Sequence, residues 1–379
     1  IPTNKPLARK DENDQIFLNH RGKIKAIADE IANDMAELAL RENELRDLLH
    51  RVPQIPSADS PIGRDDTENI EIRRIGTPRE FDFTPRPQWE LLEMNGWWKP
   101  EKIANICGSR TYALFGEAAE LELAIQTYVL QKLMSRGFTF VNCPSITKPQ
   151  TIFNAGHFMG TDESVMANDV FMLTDTDRCL AGTAEIVLNS LHSDEVLNEK
   201  DLPIKYAGFS PCFRKEAGAA GRDTRGIVRI HQFNKVEQYI YCTPEQSDEM
   251  HEHLLNNLCD VMADLELPYR VIQACTGDMG FNKVKMHDVE AWFPSEGTYR
   301  ELGSCSSIGQ FQARRTNTRY RDKNGNMQFC ATLNNTGIAL PRAIVPVIEN
   351  HQNPDGSVNI PKALQPLMGG RTKIGGKHQ

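Results

Sequence analysis

No stretch of this sequence approaches the roughly 20 consecutive apolar residues that a helix needs to cross a bilayer. Its first residues also lack the basic and apolar blocks of a secretion signal. The nine cysteines are odd in number, and no two stand in a CxxC pair. Neither a disulfide framework nor a cysteine-rich zinc site is signalled, so the expectation is reduced, mostly buried thiols in an intracellular protein, with no structural zinc. The P-loop, the glycine-rich dinucleotide fingerprint, HExxH and the nucleophile elbow are all missing, and the histidines do not cluster as a metal site. A net charge of −8 argues against a protein that coats nucleic acid along its whole surface. It leaves room for a local basic face.

What is present reads as a soluble globular chain long enough for roughly two or three domains. From Arg21 to His50 the apolar residues Ile24, Ile31, Leu38 and Leu45 recur every seven positions, with Ile27, Ala28, Met35, Leu48 and Leu49 three or four away. Glu37 and Arg41, and Glu42 and Arg46, have the spacing of helical ion pairs. This heptad predicts a helix roughly 45 Å long with one apolar stripe. The stripe either packs on a globular core or forms half of an antiparallel helical hairpin. Residues 1 to 18 are polar and lack a clear period, too few to supply the whole other half, and the chain begins at Ile1 rather than Met. An incomplete helical arm is therefore expected. Pro53, Pro56, Pro61 and Gly63 then break the helix. The expected organisation is a partial arm over 1–50, a linker over 51–66 and a larger domain over 67–379.

In that domain the pattern predicts helices over Leu121–Ser135, Asp248–Leu265 and Ala343–Asn350. Strands are expected over Phe138–Val141, Tyr269–Gln273, Asp288–Phe293 and Phe329–Leu333. Strand-rich stretches between separate helices indicate an α+β fold: an antiparallel sheet flanked by helices.

The most informative segment is CFRKEAGAAGRDTRGIVRIHQFNKVEQ, residues 212–238. It sets Arg214, Arg222, Arg225, Arg229 and Lys235 beside Glu216, Asp223 and Glu237, flanked by Phe213 and Phe233. Fixed guanidinium groups hold phosphates through paired, charge-assisted bonds, and an aromatic face can stack on a base. On composition alone, a surface hairpin laced with salt bridges fits equally.

This segment resembles motif 2 of the class II aminoacyl-tRNA synthetases, in the form found in the seryl-tRNA synthetase family. GFTFVNCPSI resembles motif 1, and GTAEIVLNSLHSDEVL resembles the family's TAE loop. CTGDMGFNKVKMHDVEAWFP and YRELGSCSSIGQFQARR are similar to its signature strands. TLNNTGIALPRAIVPVIENHQ resembles motif 3. All six lie in the family's order and spacing, from about residue 35 to Gly370. Gly182 stands where proline often precedes TAE, and LNNTGIALPR replaces the LNGSGLAVGR of many bacterial members.

The resemblance implies an ATP-dependent ligase that activates L-serine as seryl-adenylate and transfers it to tRNA(Ser). It implies that Arg214 grips the α-phosphate and the carboxylate joined to it, and that Glu216 and Phe233 take adenine. Arg342 would hold the γ-phosphate, and Glu301 and Ser304 would bind Mg2+ with ATP. Lys215, Leu302 and Gly303 complete the implied ATP set. Thr183, Ala184, Glu185, Glu237 and Thr336, with Arg214, form the implied serine set. A homodimer through motif 1, a tRNA-gripping arm at Arg21–His50, and a cytoplasmic or mitochondrial-matrix location follow from the same likeness. The competing readings are a paralogue that loads seryl-adenylate onto another acceptor and a non-catalytic regulatory paralogue. The latter would be expected to lose ATP- or serine-binding residues.

Overall fold

The computed structural model describes residues 7–157, 168–216 and 225–376, with residues 7–15 and 50 described by backbone alone. Arg222 and Asp223 of the motif 2 segment lie outside the described residues. The chain divides into two units, Ile1–Val52 and Pro53–Gln379.

The first unit holds helix α1, Leu7–Arg51, about 68 Å long at 1.5 Å per residue. It begins well before Arg21, where the heptad starts. The earlier segment is rich in Lys, Arg, Asn, Asp, Glu and Gln, several of them good helix formers, and continues the helix without an apolar stripe of its own. Ile24, Ile31, Leu38 and Leu45 are each more than half exposed in this chain. Arg41 reaches Glu37 at 3.7 Å and Glu44 at 3.0 Å, exposed pairs that contribute little to stability.

The second unit is built on an eight-stranded sheet. Its strands, in chain order, are β1 (Ile70–Ile75), β2 (Thr139–Asn142), β6 (Ile204–Phe213), β7 (Gln232–Cys242), β8 (Tyr269–Gln273), β9 (Lys285–Phe293), β10 (Thr298–Gly309) and β13 (Ala331–Leu340). The spatial order is β1-β8-β9-β10-β13-β7-β6-β2. Every pair is antiparallel except β2 with β6. Three small sheets complete the strands: β3 (Ile146–Thr147) with β4 (Cys179–Leu180); β5 (Val196–Asn198), β11 (Arg319–Arg321) and β12 (Met327–Phe329); and β14 (Val358–Asn359) with β15 (Lys373–Ile374).

The helices that follow α1 are α2 (Gln88–Met94), α3 (Pro100–Cys107), α4 (Glu117–Ser135), α5 (Pro149–Ala155), α6 (Glu185–Leu188), α7 (Ser247–Asp264), α8 (Phe311–Thr316) and α9 (Ile344–Asn350). In α7 the buried Met250, Leu254, Leu258, Val261 and Met262 recur at helical spacing. A capping box of Thr243 and Gln246 starts the turn that leads into it. In α4 the stripe is Leu121, Ala124, Ile125, Val129 and Leu133. These stripes join Val236 and Ile240 of β7, Leu333 and Ile338 of β13 and Val289 and Phe293 of β9 in one core. Each of these side chains larger than alanine contributes about 1.5–3 kcal/mol on burial. Gly337 lets β13 pass close, since a Cβ there would lie 3.1 Å from Val236 and 3.4 Å from Leu133.

The strand expected over Phe329–Leu333 is interrupted at Cys330. Residues up to Phe329 belong to the three-stranded sheet, and those from Ala331 to the large one. One apolar run therefore serves two sheets, a distinction that periodicity cannot register.

Candidate functional site

On the face opposite α4 and α7, the large sheet presents charge. Along β7 the period of two sends Val236 and Ile240 into the core, while Lys235, Glu237 and Tyr239 take the other face. Asn334 and Thr336 of β13 stand opposite Tyr239 and Glu237. On β10 the alternation alone would put Glu301 and Ser304, three residues apart, on opposite faces. A bulge between Glu301 and Gly303 corrects this: Glu301 pairs with Glu290 and Ser304 with Asp288, so both share one face. Leu302, the extra residue, is buried with the core.

Arg214 leaves the end of β6. Its amide donates to the His231 carbonyl at 2.9 Å, and its own carbonyl lies 3.0 Å from His231 Nδ1, which closes the base of the hairpin. The Arg214 guanidinium lies 5.3 Å from the Phe233 ring centre. Glu216 is held by Arg229, whose Nη1 donates to it at 2.6 Å. Arg342 follows β13, with Nε 3.4 Å from the Val228 carbonyl and Nη1 3.4 Å from the Glu301 carbonyl. Burial draws the Arg342 guanidinium below its ordinary pKa, against the pull of Glu301. Arg214, Glu216, Phe233, Glu301, Thr336 and Arg342 line one pocket.

Beside it lies a second cavity of about 340 Å³, lined by Thr183, Glu185, Glu237, Ser304 and Asn334, and sharing Arg214, Lys235, Glu301 and Thr336 with the first. Thr183 Oγ1 donates to Glu237 at 3.1 Å and accepts from the Glu185 amide at 3.1 Å. Asn334 Nδ2 lies 3.1 Å from Glu185 and 3.3 Å from Glu237. Lys235 forms an ion pair with Glu237. Burial pushes the Glu185 carboxyl above its usual range, opposed by Lys235 and by a hydrogen bond from Gln312. His157, whose side chain is 36% exposed, stands 3.6 Å from Glu185, and partial burial together with the nearby Arg214 and Lys235 draws its pKa down to about 4.

Between β9 and β10, in the middle of the sheet, burial first and Glu301 second push the Asp288 carboxyl well above the usual carboxylate range. Asp288 Oδ1 and Ser304 Oγ are buried with no hydrogen-bond partner. Among the described residues, no three His, Cys, Asp or Glu side chains converge as a metal cluster.

The geometry brings together Arg214, Glu216, Phe233, Glu301, Thr336 and Arg342 around one pocket, and Thr183, Glu185 and Glu237 around its neighbour. Three of the remaining expected residues have other surroundings. Lys215 sets its amine 5.8 Å from the Phe171 ring centre. Ala184 is buried, its Cβ 3.1 Å from where a Cβ on Gly208 would stand. Gly303 fills a gap with no room for a side chain, since an added Cβ would meet Leu258 at 2.8 Å and Thr336 at 2.9 Å. Sequence reasoning left out Asn334, His157, Gln312 and Asp288. Asn334 was within reach, because it stands two residues before Thr336 on one strand. Nothing local marks the others.

The family model for the class II tRNA synthetase core domain (G, H, P, S and T) matches residues 171–351. The serine–tRNA ligase of Deinococcus radiodurans is 48% identical over 355 residues, which cover 93% of this chain and 82% of that protein. The serine–tRNA ligase of a Sulfurihydrogenibium species is 43% identical, over 86% of this chain and 78% of its own. Among solved structures, the seryl-tRNA synthetase from Pyrococcus horikoshii complexed with ATP superposes with a TM-score of 0.85 at 36% identity, covering 97% of this chain and 88% of that one. The prolyl-tRNA synthetase of Giardia lamblia, at 14% identity and a TM-score of 0.63, shares the fold.

Proposed function

This chain belongs to the seryl-tRNA synthetases, and from that premise we propose how its residues divide the work of a serine–tRNA ligase. The observation that carries the assignment is that the two adjoining cavities share Arg214 and Thr336. A carboxylate held in one then meets the α-phosphate of a nucleotide held in the other.

Phe233 offers its ring to adenine, and Glu216, fixed by Arg229, accepts from the base. Arg342 takes the γ-phosphate. Arg214 neutralises both the serine carboxylate and the α-phosphate it attacks, so no protein nucleophile is needed. Catalysis is alignment and charge stabilisation. Lys215, Leu302 and Gly303 border the nucleotide through backbone or rim contacts. Magnesium fits the charged face between β9 and β10, because Glu301, Ser304 Oγ and the unpartnered Asp288 Oδ1 are oxygen donors of the kind a small hard cation takes together with phosphates. Glu301 and Ser304 would hold it, and when bound it would neutralise charge that develops on the phosphates.

In the second cavity Glu185 and Glu237 provide for the ammonium and hydroxyl of serine, with Thr183, Thr336 and the backbone at Ala184 completing the shell. A site built to bond that hydroxyl leaves buried polar groups unpaired when alanine enters, which rejects it strongly. The ribose hydroxyl at the tRNA 3′ end then attacks the activated carbonyl.

Residues 1–50 are part of an arm that contacts the tRNA backbone, the linker spans 51–66, and the catalytic domain spans 67–379. Gln54 and Ser57 of that linker donate from their amides to the Phe281 and Val284 carbonyls, each at 2.8 Å. The motif 1 segment carries Phe140 and Ile146, 42% and 55% exposed, apolar surface suited to a homodimer. Its work belongs where tRNA is charged, in the cytoplasm or mitochondrial matrix.

The decisive experiment is serine-dependent ATP–pyrophosphate exchange with threonine, alanine and glycine as controls, followed by charging of tRNA(Ser). Exchange with serine alone and then charging is expected. Exchange without charging points to an incomplete arm or to another acceptor, and folded protein with no exchange overturns the enzyme assignment.

A further inference from the structure

Gln312 is fully buried on α8, behind the serine cavity and outside its lining. Its amide makes four contacts. Nε2 donates to Glu185 Oε1 at 2.8 Å and to the Ala155 carbonyl at 2.9 Å. Oε1 accepts from the Tyr239 hydroxyl at 2.7 Å and from Thr332 Oγ1 at 2.8 Å. Both hydrogens and both lone pairs of the amide are therefore used. Its orientation follows from chemistry alone. The Ala155 carbonyl only accepts, and so does an ionised Glu185, so turning the amide over would set its oxygen against two acceptors.

This arrangement governs Glu185. Gln312 donates to Oε1, and Asn334 donates to Oε2 at 3.1 Å. Each donor takes up one acceptor direction of a carboxylate oxygen and leaves others free for the cavity. Asn334 lines the cavity, where a ligand can touch it. Gln312 acts from behind.

We propose that Gln312, oriented by Tyr239 and Thr332, is a positioning residue for serine recognition that keeps Glu185 aimed into the cavity as a hydrogen-bond acceptor. The inference rests on the reading of Glu185 as a serine-binding carboxylate. Its chemistry is that of a neutral donor stabilising a buried anion. A lysine there would neutralise the charge that a substrate ammonium seeks, and an apolar residue would leave the anion short of a partner in a dry setting. The charged and titratable groups that face Glu185 are Lys235, Glu237 and Tyr239 on β7, Arg214 after β6, Lys283 before β9 and His157 after α5. Of the two amide donors to its carboxylate, Gln312 is the one that acts from the layer behind the cavity.

The test is pyrophosphate exchange by full-length Gln312→Met, Glu185→Gln and the double variant, with serine and ATP varied separately from pH 6 to 9 and melting followed in parallel. In Gln312→Met the KM for serine is expected to rise about 10- to 100-fold, the loss of one hydrogen bond to a charged group. The KM for ATP is expected to stay within about twofold, and the serine defect to deepen as pH falls, because Glu185 then takes up a proton more readily. In the Glu185→Gln background the same change is expected to add nothing further. Tyr239→Phe, which removes the orienting hydroxyl together with its 3.2 Å contact to Asn189, is expected to give a smaller defect of the same kind, and it decides the matter if Gln312→Met does not fold. Unchanged serine KM in a folded variant, or equal losses for serine and ATP, overturns the proposal. Additive losses in the double variant overturn it as well. If Glu185→Gln itself binds serine normally, the assignment of the serine site fails, a result separable from failure of Gln312 alone.

Discussion

The two faces of the eight-stranded sheet are built from the same strands and to opposite purposes. On one, Val236 and Ile240 of β7 meet α4 and α7 in an apolar core. On the other, Lys235 and Glu237, their sequence neighbours, are almost as deeply buried but carry charge. Burial on the first face is favourable by area alone. Burial on the second is unfavourable unless every charge finds a partner, and Thr183, Asn334 and Lys235 meet that demand around Glu237. The difference teaches that a strand's alternation separates stability from chemistry residue by residue, so neighbours one position apart are expected to fail in different assays.

The largest contrast is expected from Arg214→Ala. Adenylate formation would fall by about 10²–10³-fold or more, the scale for removing a transition-state donor, with melting almost unchanged because the work of Arg214 is on the ligand. Near-normal exchange in that variant would remove Arg214 from its role. Ile240→Ala gives the mirror image, since Ile240 is fully buried. It is expected to lose about 2–5 kcal/mol in denaturant unfolding while exchange per folded molecule holds. A selective kinetic defect there would erase the distinction between faces.

Gly303→Ala tests where the faces meet, because its Cβ would strike Leu258 of the helix layer and Thr336 of the site at once. It is expected to lose about 1–3 kcal/mol and activity together. The mildest test is pH. Burial holds the Glu185 carboxyl above its usual range. As pH falls through that raised value the carboxylate is protonated and its attraction for an ammonium is lost. The KM for serine is expected to climb on the acid side at a pH above the ordinary carboxylate range, while the KM for ATP stays flat. Parallel rises would assign the titration elsewhere.

Much of the first face was legible. Tyr269–Gln273 forms a strand with those bounds, and the helices expected over Leu121–Ser135 and Asp248–Leu265 differ by a few residues at their ends, because a repeating apolar stripe reports burial directly. The second face was legible only through resemblance. By alternation Glu301 and Ser304 should oppose each other. The bulge at Leu302 that unites them depends on a partner strand that the local sequence does not reveal. Gln312 illustrates a different limit: its four partners come from α5, α6, β7 and β13, and no spacing along the chain encodes such a meeting. The early start of α1 and the split at Cys330 were hidden for simpler reasons, a helix without a stripe and one run shared by two sheets.

The strand order carries a consequence for how the molecule is made. β13 lies between β10 and β7 although it follows both in the chain. Translation delivers residues from the N-terminal end, so the middle of the sheet stays open until residue 340 has left the ribosome. Until then β7 and β10 each present a bare edge to the cell, and Arg342 has not yet arrived. From the emergence of β7 until then the nascent chain is both inert towards ATP and adhesive, and the arrival of β13 with the residues just after it removes both conditions together.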